Sequence, residues 1–153
     1  HLYNDMWRIM GVICFNDKEH FPHGSKKAFG KERIINFLSE KGIALFDTAT
    51  VIRRLQDNAS DKFLEIIQPT NVKELLAQLP HCRAMATTGQ KATDTLLEQF
   101  NVNEPIVGSF TEFIYNKQPM RLYRMPSSSR AYPLKLETKA EAYHHMLQEL
   151  QII

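Results

Sequence analysis

Cysteine is scarce in this sequence: Cys14 and Cys82 are the only two, far apart and each in apolar surroundings. Two thiols cannot supply a four-cysteine iron–sulfur cluster or zinc site. Their usage fits a reducing cytoplasm and not a disulfide framework. Long hydrophobic runs are missing as well. None approaches the roughly 20 residues needed to span a bilayer, and the first residues do not read as a signal peptide. Charge of one sign is also lacking. Nineteen Lys and Arg against seventeen Asp and Glu leave a formal net charge of +2, so a nucleic-acid partner has to be met by a local cluster of cations. Two catalytic signatures are absent. Thr87-Thr88-Gly89-Gln90-Lys91 has a single glycine and the wrong spacing before its lysine for a Walker-type phosphate loop. No G-x-S-x-G elbow accompanies the serines, and no motif places a histidine to serve them, which excludes Ser-His hydrolysis.

What is present is ordinary for a globular domain: 43% hydrophobic and 24% charged residues in 153, enough for one core. Asp5–Val12 reads as a short helix capped by Asn4. Residues 16–30 read as a loop, and Lys31–Lys41 as a helix stopped by Gly42 at its C′ position. Ile43–Asp47 reads as a buried strand. Ser60 is predicted to cap a helix carrying Phe63, Leu64, Ile66 and Ile67, ended by Pro69. Asn71 with Glu74 resembles a capping box for the next helix. A strand over Cys82–Thr88, Gly89, and a helix burying Ala92, Leu96, Leu97 and Phe100 follow. Phe110–Tyr115 and Met120–Met125 flank Asn116-Lys117-Gln118-Pro119 as a hairpin. Leu136, Ala140, Tyr143, Leu147 and Leu150 mark a final amphipathic helix. Strands alternating with helices predict an α/β layer architecture with a largely parallel sheet. With no repeat, low-complexity segment or linker, residues 1–153 read as one domain.

The stretch with the densest chemistry is Arg121–Pro133. A strand is stopped at Pro126, and Ser127, Ser128, Ser129, Arg130 and Tyr132 follow between two prolines. In an open α/β sheet, ligands bind outside the carboxyl ends of the strands. Three hydroxyls, backbone N–H groups, a guanidinium and an aromatic face suit phosphate oxygens and a flat base; a polar turn is the plainer reading of the loop alone. Other candidates weigh less. His20 and His23, near Asp17 and Glu19, have metal-compatible spacing but lie in a polar, solvated loop. His144 and His145 are helix neighbours that point in different directions. Trp7 reads as core, and Asn4 as a cap.

In combination these residues resemble a known family. Met125-Pro126-Ser127-Ser128-Ser129-Arg130-Ala131-Tyr132 is similar to the strand-end motif of the uracil-DNA glycosylase superfamily. That motif is His-Pro-Ser-Pro-Leu-Ser in uracil enzymes and Asn-Pro-Ser-Gly-Leu-Ser in mismatch-specific ones. In the hypoxanthine-DNA glycosylases and their bacterial relatives it is Leu-Pro-Ser-Thr-Ser-Pro-Ala-Asn, the nearest form. Asn4-Asp5-Met6-Trp7 resembles the Asn-x-Phe-Trp segment of the same branch. Gly42–Asp47 and Thr88-Gly89-Gln90-Lys91-Ala92 resemble the family's second strand and its Thr/Asn-Gly-x-x-Ala junction.

The resemblance implies a three-layer α/β fold with a four-stranded, largely parallel sheet flanked by helices. It implies a monomeric, monofunctional glycosylase without metal or cofactor, initiating base-excision repair on cytoplasmic, nucleoid-associated DNA. The enzyme would flip a deaminated base, uracil or hypoxanthine, from the stack, and water would attack C1′. Asn4 matches the asparagine near the scissile bond, whose amide offers a donor and an acceptor. Ser127 matches a serine that grips phosphate, beside Pro126 and Ser128. Ser129 and Arg130 stand where the uracil enzymes carry a leucine wedge, and Tyr132 is placed to stack or to prop the loop. Trp7 belongs to the matched first segment. Met125 replaces the histidine that stabilises the uracil anion. The family's first strand and its loop, which in several branches carry the water-activating group, would precede Asn4; the chain opens on His1, and residues upstream of it are expected. Two other readings stay open: a catalytically inactive DNA-binding relative, and a small α/β domain that binds a phosphorylated metabolite.

Overall fold

A computed structural model describes residues 4–21, 27–54 and 64–153. Their contacts fall into two compact units, one of residues 1–46 with 128–153 and one of residues 47–127.

The first unit holds α1 (Met6–Phe15), α2 (Lys27–Lys41) and α5 (Leu136–Glu149). Helix α1 packs against α5. Ile9 and Met10 are buried in α1, and Ala140, Tyr143, Met146 and Leu147 in α5, as the step of three or four residues along α5 predicts. Phe21 lies fully buried between Trp7 and Phe37, with ring centroids 5.6 and 5.1 Å away in edge-on contact. Helix α2 begins four residues earlier than its apolar face predicts and ends where Gly42 is expected to stop it. Gly42 has φ +69°, and the Ile43 N–H returns to the Leu38 carbonyl at 2.9 Å, satisfying a last-turn carbonyl. Asn16 closes α1 in the same left-handed conformation, φ 52°.

The second unit is the sheet-bearing one. Strands β3 (Ala84–Thr88), β4 (Ser109–Tyr115) and β5 (Gln118–Met125) form a mixed three-stranded sheet in the order β3-β5-β4. The pair β3–β5 is parallel, Ala84 opposite Arg121 through to Thr88 opposite Met125. The pair β4–β5 is the antiparallel hairpin that the sequence predicts, Tyr115 facing Gln118. Its turn takes positive φ at Asn116 (50°) and Lys117 (66°). Helices α3 (Val72–Ala77) and α4 (Gln90–Leu97) contribute Leu76 and Leu96 to one core with Phe100, Met120 and Leu122. The Asn71 side chain accepts from the Glu74 N–H at 3.3 Å, so the predicted cap of α3 is formed.

The described residues give a mixed three-stranded sheet, one parallel pair with an antiparallel partner, and a separate two-stranded antiparallel ribbon of β1 (Ala49–Arg54) and β2 (Leu64–Pro69). Two expectations are corrected. Leu64–Pro69, predicted as helix, is therefore strand. Its apolar spacing satisfies both periods over so short a run, and pairing with β1 decides between them; the proposed cap, Ser60, and Phe63 lie outside the described residues. Ile43–Asp47, predicted as strand, is irregular. Pairing begins at its end, where Thr70 donates to the carbonyls of Asp47 (2.6 Å, from Oγ1) and Thr48 (3.0 Å, from N–H).

Candidate functional site

Strand β5 ends at Met125 and Pro126 closes it, as the sequence predicts. Within the second unit, β3 and β5 therefore finish side by side: β3 turns at Gly89 into α4, and β5 runs into Ser127. Gly89 has φ +92°, and its N–H donates to the Met125 carbonyl at 3.1 Å. A Cβ at Gly89 would lie 3.2 Å from Ser127 Cβ. Only glycine meets both demands, which is the physical content of the Thr-Gly-x-x-Ala junction. Thr93, fully buried one turn into α4, donates to the Gly89 carbonyl at 2.8 Å and shares a 2.8 Å hydrogen bond with Thr87 of β3. Ser127 is 8% exposed and Met125 is buried.

The rest of the loop belongs to the first unit and lies against the start of the chain. Asn4 and Ser129 form an isolated antiparallel bridge, and the Asp5 N–H donates to the Ser128 carbonyl at 2.7 Å. Asn4 Oδ1 accepts from the Met6 N–H at 2.8 Å, but Asn4 is not the N-cap that the sequence predicts: α1 starts at Met6 and its N-cap is Asp5, which makes no side-chain capping hydrogen bond. Asp5, 5% exposed, is the hub. Its Oδ1 accepts from Arg130 Nε at 2.9 Å and from Arg8 Nη1 at 3.1 Å, and its Oδ2 stands 3.7 Å from Lys139 Nζ. Lys139, on α5 and 1% exposed, donates to the Ser129 carbonyl at 2.8 Å, a carbonyl that also accepts from the Tyr132 N–H at 3.1 Å. Its ammonium lies 5.9 Å from the centre of the Tyr132 ring. Arg8 Nε is buried with no hydrogen-bond partner among the described residues; an unsatisfied buried donor costs about 1–3 kcal/mol.

The electrostatics follow. Burial raises the Asp5 carboxyl, but hydrogen bonds and charge from Arg130 and Arg8 outweigh it and hold the group below the usual carboxylate range. Asp5 is an anchored anion, poorly suited to take a proton. Burial lowers the Lys139 ammonium, with Asp5 acting against that. Tyr143 is raised by burial, the Ser128 side-chain hydrogen bond opposing it, so its hydroxyl stays protonated.

The structure thus brings together Asn4, Ser128, Ser129, Arg130 and Tyr132 in the first unit. Ser127 and Pro126, the next residues back along the chain, belong to the second. Trp7 is half-buried and edge-on to Phe21, the core role its helix position predicts. His20 stacks on Phe15, with centroids 3.6 Å apart, and His23 lies outside the described residues. A cleft of about 420 Å³ lined by Phe15, Phe21, Arg33 and Phe37, among others, shares no lining residue with the Asp5 cluster. Among the described residues no helix is long and apolar enough to cross a membrane.

Asp5, Arg8 and Lys139 are the members that sequence reasoning missed. Lys139 carried a usable signal. It stands three residues after Leu136 and four before Tyr143, on the apolar stripe of α5, where a lysine needs a buried partner.

Compared with protein-family models, curated proteins and solved structures, the chain matches none.

Proposed function

We propose that the chain is a DNA glycosylase of the uracil-DNA glycosylase type, excising a deaminated base, uracil or hypoxanthine. One observation carries the reading. The two stretches that resemble the family's site motifs, Asn4–Trp7 and Met125–Tyr132, meet at Asn4–Ser129 and Asp5–Arg130, positions 125 residues apart for the last pair. Nothing in their local sequence requires that meeting, and a site shared by the two motifs does.

In this reading Arg130, 40% exposed in its side chain, faces the DNA backbone or the space left by the flipped base. Ser127, Ser128 and Ser129 set the loop that grips phosphate. The Asn4 amide hydrogen-bonds the base edge or orients water near C1′. Water adds to C1′ as the N-glycosidic bond breaks, and the base leaves with the bonding electron pair and takes up a proton. The sheet expected of the family, four strands and mostly parallel, is part of this proposal.

A second reading rests on a specific observation. Asn4 Oδ1 already holds the Met6 N–H, and Asp5 is locked by cations. Neither is a free base, and that favours a relative that binds DNA without cleaving it. Incubation with duplexes carrying one uracil, hypoxanthine or xanthine, followed by alkaline cleavage at abasic sites, separates the two. Strand cleavage confined to one lesion establishes the glycosylase. Duplex binding without cleavage leaves the binding module. Absence of both leaves the metabolite-binding domain.

A further inference from the structure

Asp5 is surrounded by more positive charge than it can neutralise. Arg130 at 2.9 Å, Arg8 at 3.1 Å and Lys139 at 3.7 Å are three cations against one carboxylate, a surplus of two positive charges in one place on a chain whose whole net charge is +2. Among the described residues no second carboxylate pairs with any of the three. Both guanidiniums crowd onto the same oxygen, Oδ1, and Arg8 is left with a buried Nε–H that nothing among the described residues accepts. Packing alone does not ask for this. Three cations on one carboxylate repel one another, and an apolar side chain at position 139 would fill the space on α5 without that charge.

We propose that Arg8, Arg130 and Lys139 form a receptor for one phosphate group, with Asp5 as the internal anion that holds the cations in place until the phosphate arrives. The proposal deepens the DNA reading and rests on it for the source of the phosphate, a backbone phosphodiester. Arg130 is the point of entry because 40% of its side chain is exposed, whereas Lys139 is sealed at 1% and acts through its charge and through its hold on the Ser129 carbonyl. A guanidinium offers five donors, so Arg130 can take a phosphate oxygen while Nε stays on Asp5, or can exchange one for the other. In either case Asp5 competes with the ligand. That gives the proposal a signature that a structural ion cluster lacks: removing the carboxylate charge strengthens binding.

The test is a titration of inorganic phosphate into the intact chain at constant ionic strength, with sodium chloride as the reference. It is followed through the arginine Nε–H resonances. The expected result is a saturable shift of the Arg8 and Arg130 signals with phosphate and none with chloride. Affinity falls at least tenfold in Arg130→Gln, falls in Lys139→Met, and rises several-fold in Asp5→Asn. Equal responses to phosphate and chloride, or an unchanged affinity in Arg130→Gln, would overturn the site. If Asp5→Asn does not fold, Arg130→Gln and Lys139→Met decide, and both must weaken binding. Displacement of phosphate by a short oligonucleotide assigns the group to a DNA backbone, whereas displacement by a nucleoside monophosphate alone overturns that assignment. Phosphate binding by a chain that ignores DNA leaves this site standing and removes the glycosylase reading.

Discussion

Arg130 Nε donates to Asp5 Oδ1 at 2.9 Å across 125 residues of sequence, closing the chain's first helix onto the loop that follows its last strand. Helices α1 and α5 reach the same carboxylate through Arg8 and Lys139. The loop's conformation therefore depends on a charge cluster as much as on packing, and the predictions follow from that.

Asp5 makes the fold acid-sensitive. The Arg130 and Arg8 guanidiniums hold its folded pKa below the usual carboxylate range, so the unfolded chain takes up the proton first as pH falls. The stability it contributes is complete above about pH 5 and is lost as pH drops through the folded value. Asp5→Asn should lower stability at neutral pH and flatten the acid limb of a plot of unfolding free energy against pH. Parallel acid limbs in the two proteins would show that Asp5 is not held by its cations.

Gly42 and Gly89 share a positive φ, 69° and 92°, but not their surroundings. Among the described residues nothing lies within 4 Å of a Cβ at Gly42, whereas Ser127 Cβ lies 3.2 Å from one at Gly89. Gly42→Ala should cost only the conformational penalty, about 1 kcal/mol. Gly89→Ala should cost more, about 2–3 kcal/mol, because the strand-end turn has to shift as well. Urea unfolding measures both; equal losses would mean that Ser127 yields freely and that the junction is not tightly built.

Thr93 tests the same junction from below. It is fully buried and bonds both the Gly89 carbonyl and Thr87. Thr93→Val keeps the shape and removes the hydroxyl, so about 1–2 kcal/mol of stability should be lost, on the scale of a buried hydrogen bond with a partner left wanting. The same urea titration reads it, and a neutral substitution would mean that the hydroxyl pair contributes nothing.

Arg130→Ala should weaken binding to a lesion-bearing duplex by about 1–3 kcal/mol, the scale of a charge-assisted contact. Raising salt should weaken the wild type more steeply than the variant, because one phosphate contact fewer releases fewer counterions. Identical salt slopes and affinities would remove Arg130 from the interface.

The elements that were legible in the sequence were those fixed by local chemistry. Asn71 caps its helix, Gly42 stops one, Gly89 turns a strand into another, and the Asn116-Lys117 turn closes the hairpin. Each depends on residues within a few positions. Leu64–Pro69 was misread because its apolar positions fit a helix and a strand equally, and the tie is broken by β1, which no local signal announces. For the site, Asn4 and the serine loop could be picked out by motif, and their meeting gives the motifs a common place. Asp5 could not. An acidic residue at the head of a helix is commonplace, and its importance comes from Arg130 and Lys139, more than a hundred residues away. Lys139 was readable in part, as a charge on an apolar stripe.

The most direct test of the central claim is the single-turnover rate of base release from a duplex carrying one uracil or one hypoxanthine, compared between the wild type and Asn4→Ala. The Asn4 side chain gives α1 one hydrogen bond, from the Met6 N–H, worth about 1 kcal/mol of stability, and the variant should remain folded. The account predicts release of one of the two bases by the wild type and at least a hundredfold slower release by folded Asn4→Ala, with duplex affinity little changed. Release at an equal rate by both proteins, or from neither duplex by a wild type that binds them, would contradict it.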